Sequence, residues 1–320
     1  MNVIATKGGE PNIAPVLRAV LEALREHHGW AVASYEAELR WRSWRWQLRL
    51  PSHVGFVAID AEGWERLERE HALLGALRSP LGDRLPRVVL HDPERRIHLR
   101  ERVMGRCGHE IEHMVFGSTL VPSSELRYHP ACPLSPAGSR LAEELGRTLA
   151  QLHGALGVEQ ARGLGLPAPD LEPTLELVGW VLARHVSDPV LRRGFARVRR
   201  WWAERYSARV LVHGDPHAHN LVVEPGTGAL RALLDLEDAQ LATREMDLRY
   251  LCSFGLPFAR QALTAYRETA GTDIEEAEVW RFHVCSAFEH LAWVSPDHPR
   301  FSQIVSWARA AVLGLTPRWT

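Results

Sequence analysis

A short β-rich segment, residues 210–235, interrupts a stretch of helical sequence patterns and constrains the fold more than any other feature. The pattern predicts three short strands, which are Arg209–Val212, Leu221–Glu224 and Ala229–Leu234. Between the first two lies the polar octet HGDPHAHN, His213–Asn220, and between the last two lies the turn PGTG. Apolar strands joined by a turn of this composition form a hairpin, which brings its two ends together.

Three oxygen-bearing side chains fall at the ends of this predicted hairpin. Asp215 and Asn220 precede its first strand, and Asp235 directly follows its second. We therefore expect all three side chains to converge on one small volume. A carboxylate can accept a proton from a hydroxyl group, while an amide and a second carboxylate supply the hard oxygen ligands that Mg²⁺ prefers.

The rest of the chain predicts an α+β protein with two parts. A small N-terminal part, residues 1–103, combines a helix over Ala14–His28, β-like sequence over Trp30–Asp60, a helix over Glu62–Leu77, and strands at Arg87–His91 and Ile97–Val103. A larger part, residues 104–320, is mainly helical. Its predicted helices are Leu141–Leu156, two within Leu171–Tyr206, Glu275–Val294 and Phe301–Leu313, after a long loop at Gly117–Gly138.

Composition excludes several classes of protein. The 320 residues carry a formal charge of −1 and a pI near 7.0, which disfavours nucleic-acid and polybasic membrane binders. No stretch approaches the roughly 18 apolar residues of a membrane-spanning helix, and the first residues lack the apolar core of a signal peptide. The four cysteines lack CxxC spacing. We expect a cytoplasmic protein that binds neither nucleic acid nor membrane, with no indication of its oligomeric state.

Charge is unevenly distributed along the chain. From Val210 to Thr320 there are 14 Asp and Glu against 9 Arg, a net charge of −5. Since the whole chain has a formal charge of −1, residues 1–209 have a net charge of +4. Among 38 basic residues only Lys7 is a lysine. The acidic C-terminal region is therefore the better host for a metal ion or a cationic ligand.

The octet also permits a different kind of metal site. His213, Asp215, His217 and His219 alternate, so on a strand they would share one face and could bind a transition metal. That arrangement would indicate a metallohydrolase. Against it, Gly214–Pro216 is typical of a loop, and the pattern leaves Asn220 and Asp235 without a role.

The octet and the sequence after it resemble the aminoglycoside phosphotransferase and choline kinase-like family. HGDPHAHN followed by LLDLEDAQLATREMDL is similar to the family signature H-G-D-x-x-x-x-N, a hairpin, a metal-binding Asp and a further Asp. The resemblance implies Asp215 as the catalytic base, and Asn220 and Asp235 as Mg²⁺ ligands. It also implies that His213 holds the shape of the loop and that Asp247 supports it.

Weaker similarities extend the resemblance over most of the chain. Leu149–His153 resembles the L-x-x-L-H helix of the family. The run LRERVMG resembles the hinge, where the backbone around Glu101 and Val103 would meet the adenine of a nucleotide. Glu70 stands where the family places the acidic partner of its nucleotide-binding lysine.

That lysine is missing here, and no glycine-rich loop is present in Tyr35–Trp46. Two residues could occupy the lysine position, Arg49 in QLRLP and Asp60 in VAID. We prefer Arg49, because a guanidinium can bind phosphate oxygens whereas a carboxylate repels them. Alternation with the buried-type residues Trp46 and Leu48 predicts that Arg45 and Arg49 share the polar face of their strand.

The resemblance implies a protein kinase-like fold with a β-rich N-terminal lobe, a larger helical lobe and a nucleotide between them. It implies a Mg²⁺-dependent kinase that transfers the γ-phosphoryl group of ATP or GTP to a hydroxyl of an aminoglycoside-like or other small natural product. Glu237 and Asp238 are candidate substrate contacts, and the acidic C-terminal region favours a cationic acceptor. The missing lysine leaves open a pseudokinase-type binding protein that keeps the fold without productive phosphate transfer.

Overall fold

Two compact units make up the chain in the computed structural model. The structure describes residues 38–42, 45–117, 132–168, 170–205, 207 and 209–315, together with Val20, Glu22, Arg25 and Glu26. The first unit takes residues 1–105 and 231–237, and the second takes residues 106–230 and 238–320. Residues 231–237 were expected in the C-terminal part, whereas this segment groups with the N-terminal unit.

A five-stranded antiparallel sheet forms the framework of the first unit. Its strands are β1 (Glu38–Arg42), β2 (Arg45–Arg49), β3 (His53–Ala58), β4 (Val88–Asp92) and β5 (Ile97–Glu101), in the spatial order β1-β2-β3-β5-β4. On β2, Trp46 and Leu48 are buried, as alternation predicts, because successive side chains of a strand point to opposite faces. Arg45 is also buried, which alternation did not predict.

The helix of the first unit, α1 (Ala61–Leu81), packs its apolar face onto this sheet. It begins at Asp60, whose carboxylate accepts the N–H of Gly63 at 2.7 Å and so satisfies one of the free donors of the first turn. Trp64 and Leu67 recur at helical spacing and join Phe56 and Ala58 of β3 in one buried cluster. The predicted helix over Glu62–Leu77 is thus present and longer.

Helices dominate the second unit, as expected. They are α2 (His109–Phe116), α3 (Pro136–Ala155), α4 (Val158–Gly163), α5 (Glu172–Arg184), α6 (Pro189–Arg205), α7 (Glu245–Leu248), α8 (Leu256–Ala270), α9 (Glu276–Trp293) and α10 (Phe301–Leu315). Helices α3 and α8 pack closely because Gly146 has no side chain. A Cβ there would lie 2.1 Å from the carbonyl oxygen of Ala262.

Two expectations fall mainly on residues that the structure does not describe. Of the predicted helix Ala14–His28, only Val20, Glu22, Arg25 and Glu26 are described, and all four are helical. Of the predicted loop Gly117–Gly138, residues 118–131 lie outside the described residues. No described helix combines the length and the apolar character needed to cross a bilayer.

Four short strands in the C-terminal half carry the polar octet and its hairpin. They are β6 (Val210–Val212), β7 (Leu221–Val223), β8 (Leu230–Leu233) and β9 (Gln240–Ala242). Strand β6 pairs with β9 in antiparallel fashion, which fixes the start of the octet. The predicted turn is closed by a hydrogen bond from the N–H of Glu224 to the carbonyl of Ala229 at 2.8 Å. Strand β8 begins in the second unit and continues into the first.

Candidate active site

The octet leaves strand β6 and folds as a tight loop that ends in a single 3₁₀ turn, Ala218–Asn220. Three backbone N–H groups of the loop are satisfied inside it. The N–H of Asp215 donates to His213 Nδ1 at 3.3 Å, that of His217 to the carbonyl of Asp215 at 2.9 Å, and that of Asn220 to the carbonyl of His217 at 2.8 Å. The loop conformation is therefore closed by its own residues.

Asp247 holds the start of this loop through hydrogen bonds to its backbone. Its carboxylate is fully buried and accepts the N–H of His213 at 2.7 Å and that of Gly214 at 2.9 Å. His153 Nε2 donates to the same carboxylate at 3.0 Å, and Tyr266 donates its hydroxyl to His153 Nδ1 at 2.8 Å. The carboxylate thus joins the loop to helices α3 and α8.

The charge of Asp247 is stabilised by these donors. Burial alone would raise the pKa of its carboxyl, but the hydrogen bond and charge of His153, with those of His213, lower the pKa below its usual value. A carboxylate that receives backbone N–H groups in a dry environment holds them strongly. Asp247 is consequently a fixed anion around which the loop is built.

Gly214 allows the loop to pass close to the next turn of chain. Its φ of 89° lies in the region that favours glycine. A Cβ at this position would lie 2.2 Å from the carbonyl oxygen of Asp238. Only glycine meets both requirements, so the G of HGD is fixed by geometry.

Asp215 and Asn220 lie side by side at the end of the loop. The Asn220 Nδ2 donates to Asp215 Oδ2 at 3.2 Å and to the Asp215 carbonyl at 2.9 Å. His217 Nδ1 lies 3.3 Å from the same carboxylate oxygen. Asp215 keeps 33% of its side chain exposed, whereas Asn220 is buried. An accessible carboxylate held by an amide can accept a proton from a bound hydroxyl.

Asp235 lies in the first unit with a cationic partner on β2. Its φ of 63° is uncommon for a residue with a side chain, and such conformations cluster at functional sites. Arg45 Nη2 donates to Asp235 Oδ1 at 3.1 Å, and Arg45 Nη1 lies 2.6 Å from Glu237 Oε2. Arg45 therefore neutralises two carboxylates of one short segment.

A second ion pair, buried on both sides, lies on the same Phe56 ring as Arg45. Arg100 on β5 donates to both carboxylate oxygens of Glu70 at 2.8 and 2.9 Å, and Glu70 also accepts the N–H of Leu236 at 3.0 Å. The guanidinium groups of Arg45 and Arg100 lie 4.5 and 4.3 Å from the centre of the Phe56 ring. Glu70 thus fixes the backbone that directly follows Asp235.

These contacts correct the expectations for the N-terminal residues. Glu70 was expected beside Arg49 and instead binds Arg100. Arg45 was expected on a solvated face and is buried. Glu237 is paired with Arg45, and Asp238 belongs to the second unit and is exposed. A substrate contact for either residue stays a prediction.

The predicted hinge lies at the end of β5. The N–H of Glu101 donates to the carbonyl of Arg87 at 2.8 Å, and the N–H of Arg102 donates to the carbonyl of Ser52 at 2.8 Å. Glu101 is exposed and Val103 is half-buried. Contact between the adenine of a nucleotide and the backbone around Glu101 and Val103 stays a prediction.

The transition-metal interpretation of the octet loses support from this geometry. His213 Nδ1 accepts the N–H of Asp215 and so serves inside the loop. In the part of the chain that the structure describes, the side chains of His213, Asp215, His217 and His219 do not form a group of three converging ligand atoms.

Comparison with known proteins decides the family. The profile of the phosphotransferase enzyme family matches residues 56–281, which include the octet, Asp235 and Asp247. The chain belongs to the phosphotransferase enzyme family. The expectation of an enzyme that transfers phosphoryl groups, with an alcohol group as acceptor, is confirmed at the level of this family. No protein of curated function matches the sequence.

Solved structures similar to this phosphotransferase confirm the kinase-like fold. The GDP complex of wild-type aminoglycoside 2'-phosphotransferase-IIIa is 18% identical, with a TM-score of 0.67 over 93% of this chain and 98% of its own. Macrolide 2'-phosphotransferase MphH from Brachybacterium faecium is 20% identical, with a TM-score of 0.62 over 95% and 98%. The streptomycin–ATP complex of APH(2")-IIa is 17% identical, with a TM-score of 0.59 over 90% and 94%.

Sequence reasoning missed three participants in this phosphotransferase. Arg45 and Arg100 were missed because their carboxylate partners are distant in sequence. Tyr266 was missed because nothing in its helix distinguishes it from a core residue. The L-x-x-L-H similarity did single out His153, but its role as the third hydrogen-bond donor to Asp247 is visible only in the structure.

Proposed function

We propose that this protein is a small-molecule kinase that transfers the γ-phosphoryl group of ATP or GTP to a hydroxyl of an antibiotic-like natural product. The observation that carries the proposal is the loop around Asp215. Its carboxylate is accessible, is held by Asn220, and rests on a loop fixed to the buried anion Asp247. The membership of the chain in the phosphotransferase family supports the same reaction class.

Asp215 acts as the general base in this proposal. It accepts the proton of the acceptor hydroxyl and orients its oxygen toward the γ-phosphorus. Asn220 and His217 hold the Asp215 carboxylate, so little reorganisation is needed when the hydroxyl arrives. Positioning of this kind provides most of the rate enhancement in phosphoryl transfer.

Asn220 and Asp235 are the proposed Mg²⁺ ligands. The Asn220 amide nitrogen is engaged with Asp215, which leaves its amide oxygen as the ligand atom, and Asp235 offers a carboxylate that is 35% exposed. Amide and carboxylate oxygens fit the donor set of Mg²⁺. When bound, Mg²⁺ would neutralise phosphate charge and orient the phosphate groups. Arg45 holds Asp235 in place on the protein side.

The acceptor is proposed to be cationic and hydroxylated, such as an aminoglycoside. Residues 210–320 carry a net charge of −5, which attracts such a ligand. Similar folds belong to phosphotransferases for both aminoglycosides and macrolides. For nucleotide binding, Arg49, Glu101 and Val103 remain the proposed contacts. Glu70 is proposed to support the nucleotide site indirectly, by positioning Arg100 and the backbone of Leu236.

One observation favours a second candidate, a pseudokinase-type binding protein. Arg45 already forms an ion pair with the proposed metal ligand Asp235. The only lysine of the chain is Lys7, which precedes the predicted strands of the first unit by more than twenty positions in the sequence. A protein that uses an arginine in place of a metal ion would bind a nucleotide without Mg²⁺ and would not turn it over.

The decisive experiment measures nucleotide consumption with MgATP or MgGTP against a panel of aminoglycosides and macrolides. Wild type should show acceptor-dependent turnover. Asp215→Asn should reduce turnover by about 10²–10⁴-fold with nucleotide affinity little changed. Asp297→Asn, an exposed change, is the matched control. Mg²⁺-independent nucleotide binding without turnover on any acceptor would instead support the binding protein.

A further inference from the structure

Three histidines of the first unit gather between its helix and two of its strands. His71 lies on α1, His91 on β4 and His98 on β5. One ring nitrogen from each lies within 4.8 Å of the others. His91 Nδ1 and His98 Nδ1 are 3.1 Å apart, and the rings of His71 and His91 stack at 4.0 Å. Three residues from three different elements thus bring their ring nitrogens close together.

Two nitrogens of this cluster are buried without a partner. His71 Nδ1 and His98 Nε2 are inaccessible to solvent and have no hydrogen-bond partner among the described residues. A buried polar atom without a partner is rare, because it has lost its hydration without compensation. His98 is fully buried, so bulk water cannot hydrogen-bond to its Nε2. The cluster therefore has the polar atoms of a ligand site.

The three imidazoles are also in the chemical form that binds metals. Burial lowers the pKa of His71 and of His91, and burial with the charge of Arg100 lowers the pKa of His98 to about 2. All three rings are neutral near pH 7 as a result. Neutral imidazole is the common protein ligand for Zn²⁺, Cu²⁺ and Ni²⁺, whereas Mg²⁺ prefers oxygen.

We propose that His71, His91 and His98 form a binding site for a divalent transition metal of the Zn²⁺ type, separate from the Mg²⁺ ligands of the phosphotransferase reaction. Zn²⁺ takes three histidines with a water in the fourth position in known arrangements. Since the His71 and His91 rings are parallel, one ring turns about its terminal side-chain torsion when the metal enters. Trp64 stacks on His91 at 4.7 Å and limits the movement of that ring.

A metal at this site would connect three elements of the first unit. It would join α1 to β4 and β5 through His71, which follows Glu70 in the chain, and His98, which precedes Arg100 by two residues on β5. The Glu70–Arg100 ion pair therefore lies directly beside the site in sequence. Occupancy should raise the resistance of the unit to unfolding, because a ligand that binds only the folded state stabilises it.

The test uses the full chain without a histidine tag, dialysed against chelator and titrated with Zn²⁺ and with Co²⁺. We expect one Zn²⁺ per chain, visible absorption bands typical of low-coordinate Co²⁺, and an upward shift of the melting temperature. His71→Asn, at a half-buried position, should weaken Zn²⁺ binding at least tenfold and abolish the shift. His91→Asn should do the same, while His298→Asn, an exposed change in the second unit, should behave as wild type.

Two results would overturn the site. One is that wild type binds no Zn²⁺ at micromolar concentrations. The other is that folded His71→Asn and His91→Asn keep the wild-type Zn²⁺ affinity, which would assign the metal to other residues such as His217 and His219. Unfolding of the metal-free variants by circular dichroism establishes that they are folded before they are compared.

Discussion

Arg45 donates a hydrogen bond to Asp235 across 190 positions of sequence, at 3.1 Å. The same guanidinium lies 2.6 Å from Glu237, so one buried cation serves two carboxylates. Asp235 is a proposed Mg²⁺ ligand. A Mg²⁺ ion that binds its carboxylate would be repelled by the positive charge of Arg45. This ion pair should therefore set how much Mg²⁺ the protein needs.

Replacement of Arg45 should reduce that requirement. Repulsion between a unit positive charge and a divalent cation about 5 Å away is about 2 kcal/mol even in a water-like dielectric. That free energy corresponds to a change of more than about tenfold in Mg²⁺ affinity. Arg45→Met should thus lower the half-saturating Mg²⁺ concentration for nucleotide binding about tenfold, while the free energy of unfolding falls by about 1.5–3 kcal/mol with the lost charged hydrogen bond. Thermal-shift titrations with nucleotide at varied Mg²⁺ measure both. An increased Mg²⁺ requirement would contradict this prediction and show that the positioning of Asp235 by Arg45 outweighs the charge repulsion.

Arg49, four residues along the same strand, should behave differently. If it replaces the missing lysine, Arg49→Met should raise the nucleotide KM well above wild type and leave the Mg²⁺ requirement and the acceptor KM unchanged. Steady-state kinetics with nucleotide and acceptor varied separately distinguish the two arginines. A wild-type nucleotide KM would remove Arg49 from the nucleotide site.

Asp247→Asn should disrupt the loop while nearly preserving side-chain volume. The carboxylate accepts three donors on its two oxygens, and an amide offers one oxygen and an NH₂ group that faces a donor. An unsatisfied buried donor costs about 1–3 kcal/mol, so both the free energy of unfolding and kcat should fall. Chemical denaturation and single-turnover kinetics check this. If stability and kcat match those of the exposed Asp297→Asn control, the loop does not depend on Asp247.

The pH dependence of stability should depend on His283 in α9. Burial, with the nearby charges of Arg249 and His290, lowers the pKa of this imidazole to about 4, against 6.5 unfolded. Between these values the unfolded chain binds a proton that the folded chain does not, so stability falls as pH falls. The loss from His283 should be about 2 kcal/mol between pH 7 and pH 5.

Denaturation of wild type and His283→Gln at both pH values isolates this contribution. The variant should be less stable at pH 7, because His283 Nδ1 donates to the carbonyl of Arg249 in the folded protein. It should nevertheless lose less stability on acidification. Equal losses in the two proteins would assign the acid sensitivity to other groups.

Contiguous patterns in the sequence predicted the elements of this fold well. The break at Ser187–Pro189 between α5 and α6, the turn after β7 and the helix α3 all follow from residues that are adjacent in the chain, and the structure confirms them. The octet is equally local, since its internal hydrogen bonds span two to five positions. Local chemistry is therefore visible in local sequence.

Long-range pairs of charged groups were not predictable in the same way. Alternation assigned Arg45 to a solvated face, because charged side chains are rarely buried without partners. The partners of Arg45 lie in the segment after β8, and Arg100 binds Glu70, which lies thirty positions away in the sequence. The three-histidine cluster depends likewise on the packing of α1 against β4 and β5. A single sequence contains no record of which distant residues meet.

The assignment of residues 231–237 to the first unit makes that unit discontinuous in the chain. A recombinant fragment that stops at Gly105 would contain the whole sheet and α1, yet Arg45 would lack Asp235 and Glu237, and Glu70 would lack the N–H of Leu236. Buried charges without partners are strongly unfavourable, so such a fragment should be poorly folded or insoluble. To fold on its own, the N-terminal unit should need residues 231–237 joined to residues 1–105 through a linker.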